Sequence, residues 1–133
     1  MATRSRIGIQ LSDESILSVY HHWDGYPTWL GRILKTHYNT KEKVAELIDG
    51  GDMSSCWTDS IWGDKLPEGE YSPEYYSARG ENCPPRLDDD ITEFLDNGEE
   101  YSYIFTRADE WICYDLHDIT GKLTEIPEGA LAV

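Results

Sequence analysis

Across residues 1–48 the apolar spacing changes from every second residue to every third or fourth, which commits the chain to strands with helices laid against them. Ile7, Ile9 and Leu11 alternate with Gly8 and Gln10, the pattern of a half-buried strand. Ser12-Asp13-Glu14-Ser15 is a polar turn, and Ile16–Trp23 reads as a second strand with apolar groups on both faces. Asp24-Gly25-Tyr26-Pro27 breaks it, and Pro27 suits a first helical turn, where its missing N–H is not needed. Leu30, Ile33, Leu34 and His37 place an amphipathic helix over Thr28–Tyr38, ended by Asn39. Thr40 caps a second helix with the stripe Val44, Leu47 and Ile48, closed by Gly50-Gly51.

Residues 52–87 keep no period and contain Pro67, Pro73, Pro84 and Pro85. They also hold Trp57, Trp62, Tyr71, Tyr75 and Tyr76, too much aromatic material for a disordered linker. The expectation is an ordered loop region with one short strand. Asp88-Asp89-Asp90 then offers a helix cap, with Ile91, Phe94 and Leu95 turned inward and a stop at Asn97-Gly98. Tyr101–Thr106 and Glu110–Leu116 flank a tight turn and form the clearest hairpin, and Lys122–Ile126 adds an edge strand. The sum is one α+β domain over residues 1–133: an antiparallel sheet with two or three helices packed on one face, in the order β-β-α-α-loop-α-β-β-β.

Charge divides the chain unevenly. Residues 1–48 carry six basic and five acidic groups, a net of +1, while the remaining 85 carry five basic and 21 acidic, a net of −16. Such a surface attracts a basic partner and repels nucleic acid, so direct DNA or RNA binding is not expected. No apolar run is long enough for a membrane span, and MATRSRIG lacks the apolar core of a secretion signal. Cys56, Cys83 and Cys113 are odd in number and not in C-x-x-C spacing, which points to a reducing compartment and to buried small hydrophobes.

Motifs for catalysis are weak. His21 and His22 are adjacent on a strand and point to opposite faces, so they do not share one ion, and no zinc spacing joins them to His37, His117 or the cysteines. Cys113 and His117 have the residue types of a nucleophile and its base, but C-x-x-x-H at a strand end carries no specificity. There is no Walker loop, G-x-G-x-x-G, G-x-S-x-G or H-E-x-x-H. The expectation is a protein without catalytic residues, metal or cofactor. Bases stack on Trp and Tyr, and Arg pairs phosphate through a two-pronged fork, so Trp57, Tyr75, Tyr76, Arg79, Arg86 and Arg107 are the candidate ligand-binding set. The alternative is that these aromatics are core and the arginines partners of local carboxylates. Trp23 and Tyr26 in the His22–Pro27 turn join the candidates, with the alternative that they staple the second strand onto the first helix.

Ser5-Arg6-Ile7-Gly8, His22-Trp23-Asp24-Gly25-Tyr26-Pro27, Gly31-Arg32-Ile33-Leu34 and His37-Tyr38 together resemble a family of small accessory proteins of tailed bacteriophages. Gly51-Asp52-Met53-Ser54-Ser55, Arg79-Gly80-Glu81 and the hairpin from Tyr101 continue the pattern along most of the chain. Among counter-defence factors of that kind, the chain is similar to the Thoeris anti-defence nucleotide sponges. That resemblance implies a homo-oligomer in the host cytoplasm that sequesters a cyclic ADP-ribose type signal without catalysis. The competing expectation is an acidic inhibitor that imitates the phosphate row of DNA and occupies a basic host nuclease.

Overall fold

The computed structural model describes residues 3–23, 25–58, 72–96, 98–117, 122–124 and 126. The side chains of 55–58, 72–74, 78, 79 and 122 also lie outside the description, as do Asp24, Trp62, Tyr71 and Asn97. The fold is α+β. Among the described residues the strands are β1 (Ser5–Gln10), β2 (Ile16–His21), β3 (Met53–Thr58), β4 (Ser72–Tyr75), β5 (Arg86–Asp88), β6 (Tyr101–Phe105), β7 (Trp111–Asp115) and β8 (Lys122–Thr124). Three helices accompany them: α1 (Arg32–His37), α2 (Lys41–Asp49) and α3 (Ile91–Leu95).

The strands form one sheet in the order β4-β3-β2-β1-β6-β7-β8, with β5 also pairing β2. The sheet is mixed, not wholly antiparallel. β1 pairs β6 in parallel, Ser5 opposite Tyr101, and β2 meets β3 in parallel at His21 and Met53. Both pairs join distant parts of the chain, and helices in the intervening stretches carry it back to the starting end of the sheet.

The described residues of 52–87 hold three strands and a 3₁₀ turn (Tyr76–Arg79), where one short strand was expected. Two register shifts between β3 and β4 blur the alternation that would have announced them.

The two sheet faces are covered differently. Ile7, Ile9, Val19, Tyr103 and Phe105 point to one face and form the main core with Ile33 and Leu34 of α1 and Val44, Leu47 and Ile48 of α2. The expected helix from Thr28 begins as a π-helical turn over Pro27–Gly31 and becomes α-helical at Arg32. Thr40 caps α2 as its side chain accepts from the Lys43 N–H at 3.2 Å. The third helix lies on the opposite face, so the helices are not all on one side. There Phe94 packs on Ile16 and Ile104. Gly8 makes this seat: a Cβ at that position would stand 2.8 Å from Ile16 Cγ2 and 3.3 Å from Phe94 Cε1. Asp90 caps α3, accepting from the Glu93 N–H at 2.9 Å.

The turn after β2 is fastened by backbone groups. The Trp23 N–H donates to Ser54 O at 2.9 Å and the Gly25 N–H to Thr3 O at 2.8 Å, while the Tyr103 hydroxyl donates to Gly25 O at 2.6 Å. Any side chain at 25 would collide with Ser5 Oγ and Thr3 O, at 2.5 and 2.7 Å.

Phe94 is fully buried, so Phe94→Ala should destabilise the chain by about 3–5 kcal/mol in urea unfolding, through lost burial and the cavity left behind.

Candidate functional site

β1 carries Arg6, with Arg4 just before the strand, on the sheet face where α3 packs. Row by row across this face, Tyr114, Ser102, Arg6 and Tyr20 stand opposite one another, followed by Ile112, Ile104, Gly8, Ser18 and Arg86. The apolar part of the face lies beneath α3, and the polar part continues past it. Arg6 is only 8% exposed. Its guanidinium donates to Ser18 Oγ at 3.1 Å and to Ser18 O at 3.3 Å. Burial and then Arg86 pull its pKa down, against Asp52, Glu99 and Asp88, and a guanidinium stays charged under such a pull.

Arg86 is bonded through Nε to Asp88 Oδ2 at 3.1 Å, and Asp88 is itself buried. Asp52 Oδ1 accepts from the Tyr20 N–H at 2.8 Å. Glu99 completes the group: burial raises its carboxyl, while Arg6, Arg4 and Arg86 all act in the opposite direction. The charges of Asp52, Glu99 and Asp88 thus all act on Arg6, and those of Arg6, Arg4 and Arg86 on Glu99.

An aromatic row borders this patch. The Tyr20 hydroxyl is bonded to His22 Nδ1 at 2.6 Å, and the His22 ring meets Trp23 edge-on with centroids 4.7 Å apart. Trp23 is 45% exposed, unusual for so large an apolar side chain. Burial and then Tyr76 raise the Tyr20 hydroxyl, with Arg4, Glu99 and Asp52 also acting on it. The Tyr76 N–H donates to Asp52 O at 3.1 Å, which holds the 3₁₀ turn against the patch.

Of the residues expected from sequence, Arg86 stands by Asp88 and acts on Arg6, Tyr76 is bonded to Asp52, and Trp23 meets His22 at the border. Trp57 lies in β3 and Arg79 ends the 3₁₀ turn, but their side chains lie outside the description. Tyr26 precedes the π-helical turn, its carbonyl accepting from the Trp29 and Leu30 N–H groups. Tyr75 faces α2 instead: its hydroxyl donates to Leu47 O at 2.6 Å. It lines an open hollow of about 390 Å³ with Tyr38, Lys43, Glu46 and Asp49, where carboxylates outnumber the one cation. Arg107 sits at the β6–β7 turn, 3.9 Å from Glu14, and its N–H donates to Gln10 at the other end of β1. Arg4, Arg6, Tyr20 and His22 were missed. The signal present for them was the i, i+2 spacing of Arg4 and Arg6 on one strand face.

Cys113 and His117 do not form a nucleophile and base. Burial pushes the Cys113 thiol up to about 12, whereas His117 is exposed and bonded to Asp115 Oδ1 at 2.6 Å. His21 and His22 point apart, His21 being buried beside Ser5 Oγ at 3.3 Å. Comparison with family models, with curated proteins and with solved structures finds no match to this chain. Among the described residues no helix is long and apolar enough to cross a membrane.

Two histidines give stability opposite pH slopes. Burial, and secondly His22, hold His21 down to about 3 from its ordinary 6.5. Its contribution is therefore complete above 6.5 and is lost as pH falls toward 3. The Asp115 bond, aided by Glu100, raises His117, so its contribution is complete below 6.5 and fades as pH rises through the raised value. Urea unfolding across pH should show His21→Gln flattening the acid limb and His117→Asn the neutral one; unaltered profiles would refute both assignments.

Proposed function

We propose that this chain is a non-enzymatic bacteriophage counter-defence protein that binds and sequesters a cyclic ADP-ribose type signal in the host cytoplasm, as a homo-oligomer. One observation carries the reading: the charges of Arg4, Arg6 and Arg86 act together at one place, and Tyr20, bonded to His22 next to the exposed Trp23, feels Arg4 and Tyr76 there. Guanidinium groups bind phosphate oxygens through charge-assisted bonds, and an exposed indole is a stacking surface for a base. The phage pattern at Ser5–Gly8 and His22–Pro27 agrees with the same reading, since both stretches border the patch.

The acidic-inhibitor reading draws on a different surface. Asp89, Asp90, Glu93 and Asp96 are all exposed on and around α3. Asp88 has no part in it, being 4% exposed and bonded to Arg86.

Native mass spectrometry and calorimetry with cyclic ADP-ribose test the first reading. The full chain is expected to retain the nucleotide, and Trp23→Ala and Arg86→Ala each to weaken binding about tenfold or more, Trp23→Ala with little change in melting temperature. A chain that takes up no nucleotide would overturn it and favour the acidic surface, whose grip on a basic partner should fall steeply with salt.

A further inference from the structure

We propose that the hollow between α2 and Tyr75 binds an alkylammonium ion, an organic cation on a short apolar stem. It is built on a helix that covers the main core, not on the face that carries Arg6, and so stands apart from the nucleotide-binding reading. The hollow measures about 390 Å³, within the range of small-molecule pockets, about 300–1,000 Å³. Lys43, Glu46, Leu47 and Gly50 recur at three- and four-residue intervals and share the helix face that lines it. Tyr38, which follows α1, and Tyr75, the last residue of β4, complete the lining, and both pack against the main core. Tyr75 is held in place twice. Its hydroxyl donates to Leu47 O at 2.6 Å, and its ring lies so close to Gly50 that a Cβ there would run into it.

The charges select the sign of the ligand. α2 ends at Asp49, and the C-terminal end of a helix is its negative pole, where a cation is favourable. The last turn of α2 holds no basic residue; Glu46 and Asp49 stand there instead and add to the negative pole. Both are exposed, and among the described residues neither carboxylate has a hydrogen-bond or ion-pair partner. Lys43, the one cation of the lining, has its ammonium bonded to Asn39 Oδ1 at 3.4 Å. Two carboxylates against one ammonium leave the hollow a net charge of −1. A calcium ion takes about six to eight oxygen ligands, more than two carboxylates supply. An alkylammonium fits better: its three N–H groups donate to carboxylates, tyrosine ring faces attract its charge, and its methylenes lie along apolar surface.

Calorimetric titration of the full chain with putrescine and with Nα-acetyl-lysine amide tests this, the first standing for a free diamine and the second for a lysine side chain of another protein. Wild type should bind at least one of them saturably, and the tighter probe identifies the source. Glu46→Gln and Asp49→Asn, both at exposed positions, should each weaken binding about fivefold. Lys43→Met, which removes the competing charge, should tighten it by about the same factor. Saturation by neither probe up to about 10 mM, or an affinity unchanged in all three variants, overturns the inference.

Discussion

A guanidinium taken out of water must be matched by acceptors and by opposite charge, and the burial of Arg6 imposes that requirement on the centre of this sheet. Ser18 answers from β2 with both a hydroxyl and a carbonyl. Asp52, Asp88 and Glu99 supply the charge from three separate stretches of chain. The start of β3, the short β5 and the link after α3 are therefore drawn to one place by a single side chain. The other face of β1 makes the contrary demand: Ile7 and Ile9 are buried under α1 and α2. One six-residue strand thus separates an apolar core from a charged patch.

The position of α3 follows from Gly8 on that same strand. With no side chain there, the Phe94 ring comes down onto the sheet and seals the apolar rows. α3 has only five residues, too short to cover the rows that follow. Ser102, Arg6 and Ser18 in the neighbouring rows are buried all the same, and Trp23, packed edge-on against His22, keeps its indole 45% exposed.

Most of the regular structure was legible because its signals are local. Alternation marked β1, the apolar run after a polar turn marked β2, Thr40 and Asp90 marked the caps of α2 and α3, and the turn after Phe105 marked the hairpin of β6 and β7. The parallel pairs were not legible, since parallel neighbours lie far apart in sequence and no turn residue announces them. β5 escaped because three residues after two prolines show no period. The charged patch was read only in part. Arg86, Tyr76 and Trp23 stood out by residue type, whereas Arg4 and Arg6 in an alternating strand look like an ordinary solvent face. Arg6 is nonetheless buried, and the carboxylate that answers it, Glu99, comes about ninety residues later in the chain. Arg107 was misleading for the same reason: type and nearby acidity suggested convergence, but its strand carries it to the opposite end of the sheet.

The parallel pairing of β1 with β6 also governs the order of assembly. Ser5 meets Tyr101 and Ile9 meets Phe105, so the middle of the sheet closes only after most of the chain has left the ribosome. Until then the β1–β2 hairpin presents one long unpaired edge, with Ile7 and Ile9 beside it. Contacts of such wide sequence separation slow folding, and an apolar edge left waiting invites pairing with another copy of itself. Arg4 and Arg6, alternating along that edge, place like charges on any two hairpins that approach each other. Like charges so placed oppose pairing of that edge with a second copy until β6 arrives to cover it.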